Sequence, residues 1–283
     1  MSAELLPSPA TGTGWHARLE LGLARRRGRT VLAHRAHRGP AMVQRPFYPE
    51  GETCHLYLLH PPGGLVAGDV LETHVALEPG ARALLTTPAA AKVYRSEGPV
   101  SRVDNRLRVG ADACLEWMPQ ETIVYDGARA HVRTRVELDA SARFVGWEVV
   151  CLGRPAADER FAGGWFRGGF ELWLGEHPLV VDRLRVDPAG PMTDAAWGLG
   201  RAPVTATMVA WPVAAEVLPA LRAAVAGASG AGRIGLTLRD SALVARYLGP
   251  HADDARGLLE QTWAELRPRL LGAAPCPPRI WAT

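Results

Sequence analysis

The chain has 283 residues, a hydrophobic fraction of 47% and a formal net charge of +3. That length buries a substantial core, as one large β-domain or two smaller units. No apolar run reaches the length of a membrane span, and the absence of a Walker A loop, a G-x-G-x-x-G fingerprint and an H-E-x-x-H motif leaves nucleotide and zinc-protease chemistry without support.

Met1 to Gly14 has neither a basic n-region nor an apolar h-segment, so it reads as a loose polar leader rather than a signal peptide. Trp15, Ala17, Leu19, Leu21 and Leu23 alternate and predict a first strand over 15–24. Arg25 to Arg29 is a basic turn, Thr30 to Arg35 a second strand, and Ala41 to Phe47 a third, closed by Pro46 and Pro49. The basic run Arg25 to Arg38 has no interleaved aromatics and no recognisable nucleic-acid-binding pattern. It reads as a solvated or partner-facing surface.

The stretch Leu56 to Asp69 then runs from an apolar strand into Pro61-Pro62, Gly63-Gly64 and a second short apolar run. The prolines fix φ and remove two donors; the glycines allow backbone shapes closed to other residues. His60 and Asp69 fall at the two ends of a compact excursion. On these residues alone Asp69 reads as the cap of the turn.

The middle of the chain carries a weak repeat. Val75 to Leu85, Leu107 to Trp117 and Val136 to Val145 are each a period-2 strand, a small-residue turn and a second period-2 strand. Leu172 to Asp182 is a looser fourth copy, and the copies start 32, 29 and 36 residues apart. Such a spacing fits stacked β-layers or a solenoid; it also fits ordinary hairpins in a sandwich. Gly163 to Gly169 is glycine-rich and reads as a flexible turn between strands.

The last third changes character. Val204 to Trp211 predicts a strand, Ala214 to Ala226 a short helix with Pro219 in its first turn, and Arg233 to Leu238 with Ala242 to Leu248 a hairpin. Asp253 to Leu271 predicts the longest helix, with Leu258, Leu259, Thr262, Trp263, Leu266 and Leu270 on one stripe. Pro268 falls inside that stripe, to kink or end it, and Arg279 to Thr283 reads as an extended tail. The divisions are a flexible leader (1–14), a β-rich layered body (15–203) and an α/β portion packed on it (204–283), together one structural unit.

Cys54, Cys114, Cys151 and Cys276 are widely spread with no C-x-x-C, as in a reduced cytosolic protein. His34/His37 and His55/His60 come closest to metal-ligand spacing, but neither pair has an obvious third ligand nearby in sequence. Glu116 and Glu148 each sit in an apolar strand, where an unpaired carboxylate is costly. They need an Arg, a metal or a water-filled channel. A buried Arg–Glu pair is the bland solution. Paired acids on stacked β-layers would also serve a carbohydrate-active β-solenoid hydrolase using Glu116 and Glu148.

Several stretches resemble the urease accessory protein family UreD, also called UreH. They are Val43 to Glu50, Leu56 to Asp69, Ala91-Lys92-Val93-Tyr94-Arg95-Ser96, Leu115-Glu116-Trp117-Met118-Pro119-Gln120-Glu121-Thr122-Ile123, Trp147 to Arg154 and Pro278 to Thr283. Within them Pro61, Pro62, Gly63, Gly64, Gly68, Lys92, Tyr94, Arg95, Glu116, Gln120, Glu121, Gly153 and Arg154 are the motif positions. The resemblance implies a mainly β fold of stacked, β-helix-like sheet layers with about two helices near the C-terminus. It implies a non-enzymatic cytoplasmic protein that binds UreF, through it the GTPase UreG, and docks on apo-urease, without nucleic acid or membrane.

Nickel would cross an internal tunnel as transient Ni2+, with no tightly bound cofactor. Asp69, Glu148 and Asp182 match the tunnel-lining acids, and His60 is a weaker candidate. Carboxylates hold nickel more loosely than imidazole or thiolate, which suits transit better than storage. Two departures stand out. Ala91 replaces a Ser or Thr often found before Lys-x-Tyr-Arg, and Ala157-Asp158-Glu159 replaces a more usual small-Gly-Glu.

Overall fold

The computed structural model describes residues 14–227 and 231–282. The leader expected over 1–14 lies outside them apart from Gly14. Strand accounts for 49% of the residues and helix for 16%, so the mainly β expectation holds.

The chain opens with an antiparallel pair, β1 (His16–Arg26) and β2 (Arg29–Arg38), followed by the two-residue β3 (Met42–Val43) and by β4 (Cys54–Leu59). The strand expected over Ala41 to Phe47 is thus cut to two residues, with Pro46 and Pro49 removing backbone donors beyond it. Next come β5 (Val70–Leu77), β6 (Arg82–Thr86), β7 (Ala91–Val93), β8 (Ser101–Val109), β9 (Cys114–Met118), β10 (Thr122–Val124), β11 (Arg129–Leu138) and β12 (Arg143–Leu152). The first arms of the repeat, β5, β8 and β11, stack in parallel in one sheet; the second arms, β6, β9 and β12, stack in parallel in the other.

Stacked layers therefore win over hairpins, and the turns explain it. Each repeat turn closes with the same hydrogen bond: Ala81 N to Glu78 O, Ala113 N to Gly110 O and Ala142 N to Asp139 O, at 3.1, 3.1 and 3.0 Å. Ala81, Ala113 and Ala142 are all buried, forming a small-residue ladder that lets the turns sit one above another. The fourth copy behaves differently. β13 (Trp165–Leu174) and β14 (His177–Val186) pair antiparallel within the first sheet, because only Gly175 and Glu176 separate them. Gly168 and Gly169, expected in a turn, lie inside β13. A side chain at Gly168 would meet Phe166 Cε1 at 3.0 Å.

A four-residue helix, α1 (Pro191–Asp194), leads into β15 (Val204–Trp211), which pairs antiparallel with β12 and extends the second sheet. α2 (Leu218–Ala226), β16 (Arg233–Arg239), β17 (Ala242–Gly249) and α3 (Ala252–Leu271) follow. α3 runs on through Pro268, and the six residues of its expected stripe are all buried. The expected extended tail instead forms a 3-10 turn over Arg279–Ala282. The first sheet runs β14-β13-β11-β8-β5-β1-β2; the second runs β16-β17-β15-β12-β9-β6-β4-β3, with β10 and β7 attached beside β12.

One core lies between the sheets; a second lies where α2 and α3 cover the far face of the second sheet. β12 is buried on both faces, which is why Val145 to Leu152 reads as one apolar run. Trp147 and Val149 face the helices. Glu148 points the other way, between the sheets.

Candidate functional site

Three cavities follow one another through the space between the sheets. The outer one, about 300 Å³, is lined by Trp15, Asp69, Tyr94 and His60. The central one, about 200 Å³, shares His60, Gly64, Leu65 and Leu71 with it. The far one, about 150 Å³, shares Glu148 and Val150 with the central one and also takes in Asp182. The four residues singled out from the sequence thus sit along one line of cavities, in the order Asp69, His60, Glu148, Asp182.

The entry is built by the Pro-Pro-Gly-Gly excursion. Gly63 and Gly68 hold φ of 77° and 85°, in the left-handed region that favours glycine. Leu65 N donates to Lys92 O and Tyr94 N to Leu65 O, at 2.8 and 2.9 Å, so the excursion docks on β7. A Cβ at Gly64 would lie 2.4 Å from Tyr94 Cε2. The Gly-Gly and Lys-x-Tyr-Arg motifs are therefore two halves of one contact. Asp69 does cap the turn: its oxygens accept from Trp15 N at 2.8 Å and Val66 N at 2.9 Å. It is also part of the outer cavity wall. Burial pushes the His60 imidazole below its ordinary range, against a smaller upward pull from Asp69, so at neutral pH it is uncharged.

Glu148 carries a strongly perturbed carboxyl. Burial pushes its carboxyl up to about 7; a hydrogen bond from Thr134 opposes the shift and the charge of Asp182 adds to it. Thr134 in turn accepts from Asn105 Nδ2 at 3.0 Å. Asp182 accepts from Thr207 Oγ1 at 2.8 Å and from Arg246 at 2.9 Å. Gly168 and Gly169 line the same cavity, and the missing side chains keep that space open. Sequence reasoning missed Thr134, Thr207 and Arg246, which come from three other strands and carry no motif.

The remaining motif positions brace this frame. Gln120 lines the central cavity and accepts from Arg256 at 2.6 Å, while Glu121 pairs with Arg256 at 3.7 Å. Tyr94 packs on Tyr125 at 4.9 Å between ring centroids, and Arg154 lies over the other side of that system, 4.9 Å from the Tyr125 ring. Arg154 also pairs with Glu159 across the turn opened by Gly153. Arg95 bridges to Ala128. Glu116 lines none of these three cavities. It is 2% exposed and takes hydrogen bonds from Trp263 Nε1 at 2.7 Å and from Arg267 at 3.0 Å. The buried Arg–Glu pair is its solution, and no cleft brings it to Glu148 as a glycoside hydrolase would need.

Comparison with known proteins gives a consistent result. The family model described as UreD urease accessory protein matches residues 16–282. A protein named urease accessory protein UreD from Alkalilimnicola ehrlichii is 43% identical over 99% of this chain and 96% of its own. The protein of the same name from Pseudomonas putida is 43% identical over 99% of each chain. That from Marinobacter nauticus is 45% identical over 95% of this chain and 93% of its own.

Proposed function

The chain belongs to the UreD family of urease accessory proteins and has a role in urease maturation, and from that membership we propose that it is the subunit through which nickel reaches apo-urease. In this reading it binds a UreF-like protein, which brings the GTPase UreG, and acts in the cytoplasm as a scaffold rather than as an enzyme. Among the described residues no helix is long and apolar enough to cross a membrane. The observation that carries the reading is the series of three cavities joined by shared walls, with Asp69, His60, Glu148 and Asp182 spaced along it.

The donor chemistry supports passage. Nickel is the cargo, and each station offers it a single carboxylate or a single imidazole, with the oxygens of Asp69 and Asp182 already engaged in hydrogen bonds. No station gathers the three or four firm donors of a storage site. Glu148 titrates near neutrality, so an arriving dication displaces its proton and a departing one lets the proton return. The central walls are mainly apolar, which keeps competing ligands few. Trp15 and Val66 are 64% and 53% exposed beside the outer cavity, an apolar rim of the kind a partner covers.

The test uses the chain co-expressed with UreF-like and UreG-like partners and apo-urease. Replacing Asp69 and Asp182 together by Ala should lower the nickel content and activity of urease while the UreF complex still forms. Full nickel loading in that double variant sinks the passage reading.

A further inference from the structure

A different cluster lies away from the cavity series. Glu50, in the loop before β4, His55, on β4, and Cys276, in the C-terminal segment, each place a donor atom within 4.8 Å of the others. The fold delivers them from distant stretches. The antiparallel bridge Phe47 to His55 folds the loop carrying Glu50 back over β4. Arg267 on α3 holds the Ala274 carbonyl, and Trp281 Nε1 donates to Thr86 Oγ1 at 2.9 Å, so both sides of Cys276 are fastened to the body.

The histidine has no other use for its second nitrogen. His55 is completely buried, its Nε2 lies 2.7 Å from Glu50 Oε1, and its Nδ1 has no hydrogen-bond partner. Glu50 Oε1 also accepts from Arg267 at 2.6 Å, so it is an ionised acceptor and the facing imidazole nitrogen carries the proton. Whichever way the ring is turned, one lone pair is left buried and unused. An ion bound by all three residues takes the place of the proton now held between Glu50 and the facing imidazole nitrogen. Both hydrogen bonds fall on one oxygen of Glu50, which leaves the other available. Cys276 is only half-buried, so the cluster has a route to solvent.

We propose that Glu50, His55 and Cys276 form a second metal site, taking a divalent ion of the zinc or nickel class. Imidazole, thiolate and carboxylate together suit that class and disfavour magnesium or calcium. Three protein donors leave a position for water, so the site is an exchangeable one. Bound there, the ion ties the C-terminal segment to β4. The proposal stands apart from the nickel-passage reading, since none of its three residues lines the cavities above.

The full-length chain titrated with Co2+ alone should develop a thiolate-to-metal charge-transfer band that Zn2+ or Ni2+ removes by displacement. Cys54, Cys114 and Cys151 are buried, so the band reports Cys276. Cys276→Ser should lose the band, and Cys276→His should lose it while still binding Zn2+. Alkylation of Cys276 in the unaltered chain gives a readout free of any folding defect: saturating Zn2+ should protect the thiol. A band that survives Cys276→Ser, the absence of any band in the unaltered chain, or alkylation indifferent to Zn2+ overturns the site. Unchanged metal binding here would leave the urease-loading test of the cavity acids unaffected.

Discussion

Glu148 shows how one buried side chain ties stability to pH. Its folded carboxyl titrates near 7 against an ordinary 4.5, so the folded state holds the proton more tightly than the unfolded chain. Stability is complete below the unfolded value and falls as pH rises from about 4.5 through about 7. Each unit is worth about 1.4 kcal/mol, and partial solvent access reduces the total loss to about 2 kcal/mol. Glu148→Gln mimics the protonated form, so urea melts should show the variant more stable than the parent at pH 8, with the difference shrinking toward zero near pH 4.5. A difference that does not change with pH would mean that Glu148 is not the group responsible. Arg267 presents the opposite case. Burial alone would lower its pKa, but Glu50 and Glu116 hold it firmly charged, well above its usual range. The cost of burying that charge is offset only because both acids are present.

At the level of elements, most of what was readable followed period and punctuation. The alternation of Trp15 to Leu23 gave β1 within about two residues of its ends, and the stripe from Leu258 to Leu270 marked the buried face of α3. What failed had tertiary causes. Gly168 and Gly169 looked like a turn, yet they continue β13, paired with β11 on one side and β14 on the other, and a side chain at Gly168 would crowd Phe166. The fourth repeat looked like a layer, yet its two-residue connection forces a hairpin. The departure at Asp158 has a local explanation. Its φ is 55°, in the left-handed region, at the end of the 3-10 turn Pro155–Ala157, where glycine carries no Cβ penalty. Asp158→Gly should therefore raise stability by about 0.5–1 kcal/mol in denaturant melts, less whatever glycine adds to the unfolded-state entropy. A loss of stability would show that the Asp side chain contributes more than its backbone strain costs.

At the scale of the molecule, the repeat matters because it stacks two sheets face to face and leaves the space between them incompletely filled. Glu148 was legible on its own as an acid in an apolar strand, whereas Asp69 reads locally as a turn cap and Asp182 was singled out only through family resemblance; the alignment of the three depends on strands far apart in sequence. The partners Thr134, Thr207 and Arg246, and the meeting of His55 with Cys276, are likewise products of sheet order rather than of any local pattern. That same order places Val150 at the junction of the central and far cavities. Val150 is 8% exposed and lines both the central and far cavities, so a larger side chain there fills the junction without removing any polar group. Val150→Phe should cost about 1–3 kcal/mol by overpacking and should cut nickel delivery to urease while partner assembly persists. Val150→Ala costs a similar amount by opening space, and should leave delivery intact. Equal losses in both variants would trace the effect to weakened folding, whereas loss in the Phe variant alone ties delivery to the continuity of the cavities.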